Sequence, residues 1–399
     1  MCGTSFTRTA SLVLLAILCV AAGCAEQSQP TATLKSYAFW PPFPDAPHIL
    51  FLASYTLNTD VEPPRSQWQD LIYGSAAPET AMINHPYGVA MWHGRIYVCD
   101  TQSSLIEILD LRKHQMQVMG AVEAGKLEKP VAIAIADDGF KYVADDVVGV
   151  IDVFDPGDRM VAQIGHEHFR PVDVAVYGRL LYVTDFAANH VEVFDRFTGK
   201  TVRIIGGPGI KKGQFVGPLG LAVDLQGNIY VDEVVGCHVQ KFSPQGKQIG
   251  QFGALGDIPG DFVRPKQIAV DSDGIIYVVD AAFSNVQMFD KSFHPLMYFG
   301  SAGEHPGAMD LPAGICVHEG DLDLFADRIP DAFQADRLVI VTNNFGDHKV
   351  SVYAEGHLKA GHSLSELSGL GADVPNQTTT TMSRGAGAPL SAEGAGGAK

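Results

Sequence analysis

The segment PKQIAVDSDGIIYVVD, residues 265–280, decides how this chain is read. It opens on a proline, runs through a short alternating strand with a small residue at Ala269, turns at Gly274 and ends on a second strand closed by Asp280. Two short apolar strands joined by a glycine-bearing turn specify a hairpin. The same pattern lies on either side. Prolines stand at Pro218 and Pro312, each 47 residues away, and before them come Pro171, Pro130 and Pro86 at intervals of 47, 41 and 44. The strands that follow read GVAM, AIAI, DVAV, GLAV, QIAV and GICV, and the fourth residue past each proline is Ala90, Ala134, Ala175, Ala222, Ala269 or Cys316.

The second strand repeats as well, ending on Asp100, Asp145, Asp185, Glu233, Asp280 and Asn343. A third strand ends in ILD, VFD, VFD, KFS, MFD and SVY, and a fourth closes on Gly120, Gly165, Gly206, Gly253 and Gly300. Four short strands in every period of about 40–50 residues are the signature of a propeller. Six small residues in register suit innermost strands crowded around an axis.

The sixth copy is the irregular one. It inserts DLDLFADRIPDAFQADR, residues 321–337, as a short helix, and it lacks a fourth strand. An open ring would leave two unpaired sheet edges. The lone apolar segment HILFLASYTL, His48–Leu57, is therefore expected to supply the missing strand. Arg65–Gly74 reads as an amphipathic helix between that strand and the first blade.

Quoted together, Pro-x-x-hydrophobic-Ala-hydrophobic, Tyr-Val-x-Asp, Val-x-Phe-Asp and Phe-Gly resemble the NHL repeat, six times over residues 85–356. The resemblance implies an all-β, six-bladed β-propeller of the NHL type, spanning 48–358, its ring closed by an N-terminal strand completing the last blade.

Ahead of the ring, Arg8 precedes an apolar run from Ala10 to Val20. That run is too short to span a bilayer, which takes about 20 residues, and its layout is that of a signal peptide over 1–23. Ala21-Ala22-Gly23-Cys24 resembles a lipobox, which implies lipidation at Cys24 and a bacterial cell-envelope location, at the outer membrane since Ala25 follows the cysteine. Ala21 stands where the motif generally has Leu, which leaves ordinary signal-peptidase cleavage as the alternative. Residues 24–47 read as a Pro-rich tether, and 359–399 as a disordered tail poor in large apolar residues. Once the signal and Cys24 are set aside, Cys99, Cys237 and Cys316 remain, an odd set read as buried and unpaired.

The formal charge of -17, from 28 basic and 45 acidic residues, argues against a nucleic-acid partner. The acids closing the second strands are expected to accept backbone N–H groups from the following turn. His190, His238 and His348 recur at one blade position, too far apart to share a metal. Propeller amidating lyases carry histidines just past the repeat proline, where this chain has Tyr87, Val131, Val172, Leu219, Lys266 and Ala313. Propeller lactonases hold calcium with Glu, Asn and Asp at the channel mouth, where Asp173 alone stands. Neither pattern is matched, so no catalytic residue, metal or cofactor is assigned. The expectation is a non-enzymatic binding or scaffolding module for a protein or small ligand. The alternative is a metal-dependent propeller enzyme, lyase-like or lactonase-like. The candidate ligand-binding rim is His85, Tyr87, Asp173, Lys266 and Gln267, residues that depart from the small or apolar filling unless they only solvate one face of the disc.

Overall fold

Each repeat proline begins an innermost strand. In the computed structural model, which describes residues 37–64, 80–122 and 125–371, blade 1 consists of Pro86–Trp92, Arg95–Asp100, Leu105–Asp110 and Gln115–Met119. Blades 2 to 5 repeat that antiparallel order from Pro130–Ile135, Pro171–Tyr177, Pro218–Val223 and Pro265–Val270. Every innermost strand packs against those of the neighbouring blades. Pro312–His318 of blade 6 meets Pro86–Trp92 of blade 1, and the ring is closed.

Register explains the six small residues. Ala90, Ala134, Ala175, Ala222 and Ala269 stand directly opposite Tyr97, Tyr142, Tyr182, Tyr230 and Tyr277, and Cys316 stands opposite Ile340. Cross-strand neighbours on one face lie only about 5 Å apart. A methyl group on the inner strand leaves room for the ring on the second. All five tyrosines are buried in the layers between blades. One such layer joins Tyr182, Val191 and Val193 of blade 3 to Leu221, Ile229 and Val231 of blade 4.

Blade 6 is built from both ends of the described chain. Its order is Phe39–Trp40, Ile49–Tyr55, Val350–Leu358, Phe333–Asn343, Pro312–His318. Ile49–Tyr55 is the expected closing strand. The 321–337 insertion forms a 3-10 helix over Leu322–Arg328 and then lengthens the second strand. Arg112 of blade 1 reaches across to Asp321 and Asp323, fixing the insertion to the seam.

Two boundaries differ from the sequence reading. The tether does not run to residue 47, because Phe39–Trp40 adds a fifth strand to blade 6 and Trp40 is buried against Tyr353 and Phe299. Proline content suggested an extended spacer, but the aromatic residues between the prolines have enough apolar area to bury. The tail likewise begins later than 359. A short helix, Leu364–Ser368, carries the fully buried Leu367, and Tyr37 donates to the Leu370 carbonyl at 3.1 Å. The signal segment, Cys24, the start of the tether, Arg65–Gly74 and the tail beyond 371 lie outside the described residues.

Candidate functional site

The five rim residues converge, but on the axis. Asp173, Lys266 and Gln267 are only 4%, 8% and 9% exposed, so they do not solvate a face of the disc. The reason lies in the second position past each proline, which reads Gly88, Ala132, Asp173, Gly220, Gln267 and Gly314. Three glycines and an alanine leave space that two long polar side chains fill. A Cβ on Gly220 would lie 2.7 Å from the Gln267 Cα, and one on Gly314 would collide with the Tyr87 carbonyl.

Through that space Gln267 of blade 5 reaches past blade 4 on one side and to blade 6 on the other. Its Nε2 donates to Asp173 Oδ1 of blade 3 at 3.3 Å, and its Oε1 accepts from the Ile315 N–H of blade 6 at 2.6 Å. Asp173 accepts from its neighbour Val174 and, at 2.7 Å, from the Leu221 N–H of blade 4. One position earlier, Ala313 gives Lys266 the same freedom. Its Nζ lies 4.9 Å over the Tyr87 ring and donates to Asn344 Oδ1 at 2.9 Å, while Asn344 Nδ2 donates to the Pro86 carbonyl at 2.6 Å. Five blades are tied together by two side-chain networks.

His85 stands half-buried beside this hub. Its Nδ1 lies 3.0 Å from Thr101 Oγ1, and burial together with Lys266 holds its pKa below the ordinary value. The hub also contains residues that the sequence reading passed over. Thr342 accepts from the Gly314 N–H at 2.9 Å and donates to the Tyr87 carbonyl. Asp232 accepts from the Gly220 N–H at 3.1 Å, and its other oxygen is buried without a partner. The available signal was the second strand YVDE, where a carboxylate replaces Cys, Ala, Thr or Val of the sister blades.

Burial pushes Asp173 and Asp232 up to about 7, and burial followed by Arg264 pushes Lys266 down to about 8. Both Asp173 oxygens already face N–H donors, and an amine stands beside the hub. This donor set does not fit a divalent cation, which takes a shell of oxygen ligands. Among the described residues no three His, Cys, Asp or Glu side chains converge on a metal-sized point.

The acids closing the second strands work as staples. Asp100 accepts from Gln102 and Ser103 in the turn that follows, and from Asn84 and His85 in the segment entering its own blade. Asp145, Asp185 and Asp280 repeat the arrangement. The recurrent histidines serve separate partners: His238 pairs with Glu233 at 2.8 Å, and His348 with Ser54 at 2.8 Å. Cys99, Cys237 and Cys316 are free thiols.

Neither the family descriptions nor the curated proteins compared with this chain match its sequence. Solved structures do match it. A structural-genomics protein of unknown function from Bacteroides thetaiotaomicron is similar with TM-score 0.54 and 15% identity, over 68% of this chain and 70% of that one. A gluconolactonase from Xanthomonas campestris is similar with TM-score 0.50 and 13% identity, over 79% and 91%. The chain is a six-bladed β-propeller. Virginiamycin B lyase from Staphylococcus aureus shares the outline more loosely, with TM-score 0.47 and 12% identity over 71% and 87%. At such identities the likeness is one of fold, and the same propeller supports unrelated functions.

Proposed function

We propose that this chain is an NHL-type propeller anchored in the bacterial envelope, and that it recognises a protein or small ligand without transforming it. The observation that supports this reading is how the hub is used. Its polar side chains hold backbone groups and one another across blades 3 to 6 and blade 1, which makes the axis a clamp. A propeller clamped at its axis offers its loops and rim for recognition.

The anchor follows from the lipobox-like ending at Cys24, and more than one acyl chain would make it durable. Two experiments test the reading. Cys24→Ser should move the full chain from the membrane fraction to the soluble fraction, and unchanged fractionation would remove the anchor. Cross-linking in intact envelopes should recover a reproducible partner. About one equivalent of calcium or zinc that survives dialysis of the full chain would instead favour a metal-dependent enzyme.

A further inference from the structure

Blade 4 differs from its sisters at the outer end of its second strand. There the closing acid is Glu233, one carbon longer than the aspartates of blades 1, 2, 3 and 5, and it lines a cleft of about 250 Å³. The cleft lies under the loop that leads from blade 3 into blade 4. That loop is fixed at its base: Phe215 is buried against Phe242, and Gln240 Nε2 donates to the Gln214 carbonyl at 2.7 Å. At its tip Ile210 is 94% exposed, followed by Lys211 and Lys212.

The floor is a histidine–glutamate pair. His238 Nδ1 faces the Gly236 carbonyl at 3.0 Å and Nε2 faces Glu233 Oε1 at 2.8 Å. The hydrogen bond to Glu233, ahead of the opposing effect of burial, raises the His238 pKa and so favours the imidazolium beside the buried acid. Above this floor stand Lys211 and Lys212, which have no carboxylate in ion-pair range among the described residues. In a chain of net charge -17, that is a local reversal of sign.

The sister loops are built differently. Shifted by the 47-residue period, Lys211 and Lys212 become Ile258 and Pro259, then His305 and Pro306, and His238 becomes Asn285. In blade 5, Gln287 is saturated: its Nε2 donates to the Asp261 carbonyl and its Oε1 accepts from the Gly260 N–H. In blade 4, Gln240 lines the cleft, its Nε2 is shared between Gln214 and Glu233, and its buried Oε1 has no donor. The cleft therefore combines two unpaired cations with one unpaired acceptor.

We infer that the blade 4 cleft binds a small hydroxylated organic anion, a carboxylate or a phosphate ester, with its charge on Lys211 and Lys212 and a hydroxyl hydrogen supplied to Gln240. The volume sits at the small end of ligand sites, which suits a metabolite-sized acid. The inference is independent of what the anchored chain docks onto, so its failure would leave the envelope partner untouched.

The test is calorimetric titration of the full chain in detergent with malate, succinate, glycerol phosphate and glycerol. Saturable binding of malate or glycerol phosphate is expected, with succinate weaker and glycerol silent. The K211Q/K212Q variant, altered only on an exposed loop, should keep its unfolding midpoint and weaken binding by roughly tenfold or more. Absence of saturable binding by both hydroxylated anions, binding undiminished in the double variant, or succinate bound as tightly as malate would overturn the inference. The ratio of malate to glycerol phosphate affinity identifies the anionic head.

Discussion

Gln267 and Asp173 belong to blades 5 and 3, 94 residues apart in sequence, yet the amide of one donates to the carboxylate of the other across Gly220 of blade 4. The contact exists because the position between them has no side chain. It makes the axis of this propeller a set of cross-blade ties.

Removing that tie should cost stability without disturbing any single blade. Gln267→Ala leaves the buried Ile315 N–H without an acceptor and Asp173 short of one donor. A loss of about 1–3 kcal/mol is expected, read from the urea midpoint at constant slope. Gly220→Ala should be at least as damaging, since its Cβ would meet Gln267 and Asp232.

Stability should peak in mildly acidic solution. Burial raises Asp173 and Asp232 to about 7, and burial with Asp100 raises Glu107 to about 10. Groups raised on folding stabilise fully below their ordinary pKa, and that contribution fades as pH rises through the folded value. Asp100 shifts the other way: although burial opposes it, donors from Ser103, Asn84, His85 and Gln102 hold it low. Its contribution is present above its ordinary pKa and is lost on further acidification. The two slopes meet near the ordinary carboxylate pKa, so the maximum lies near about pH 4, which thermal melts between about pH 3 and 9 would locate.

Glu107 carries the slope furthest into the alkaline range. At the same register blades 4 and 5 have Gln240 and Gln287. Glu107→Gln keeps the shape and removes the titration, so it should stabilise the protein by about 2 kcal/mol at pH 7 and have little effect at pH 4. Equal effects at both pH values would count against a protonated Glu107.

Trp40 tests where the folded domain begins. Trp40→Ala should cost about 3–5 kcal/mol, as for a large aromatic residue removed from a core. A change within experimental error would return residues 37–47 to the tether. Calorimetric melts of the full chain decide it.

Arg337 separates buried from exposed ion pairing. It bridges Asp271, whose side chain is fully buried, the exposed Asp273 and Glu355. Arg337→Ala strands a buried carboxylate and should cost about 3–5 kcal/mol, whereas Asp273→Ala should cost under about 1 kcal/mol. Chemical denaturation of the two variants side by side provides the comparison.

The blades and their closure were legible because they are local and periodic. Proline starts, strand alternation and turn glycines act within a few residues, and an unpaired apolar strand at His48–Leu57 had one vacancy to fill. The rim residues stand out in the sequence as exceptions to an apolar pattern, but their burial was not legible. Whether Lys266 faces solvent depends on the size of Ala313 and on Tyr87, which stands at the opposite end of the repeat sequence.

The sequence alone therefore determined the number of blades, the order of strands and the segment that joins the ends, since each follows from short-range patterning and the cost of an open edge. Only the closed ring decided that Asp173, Gln267 and Lys266 form a clamp and that Trp40 belongs to the core. Those relationships rest on distances between blades, and such distances are set when all six pack around one axis.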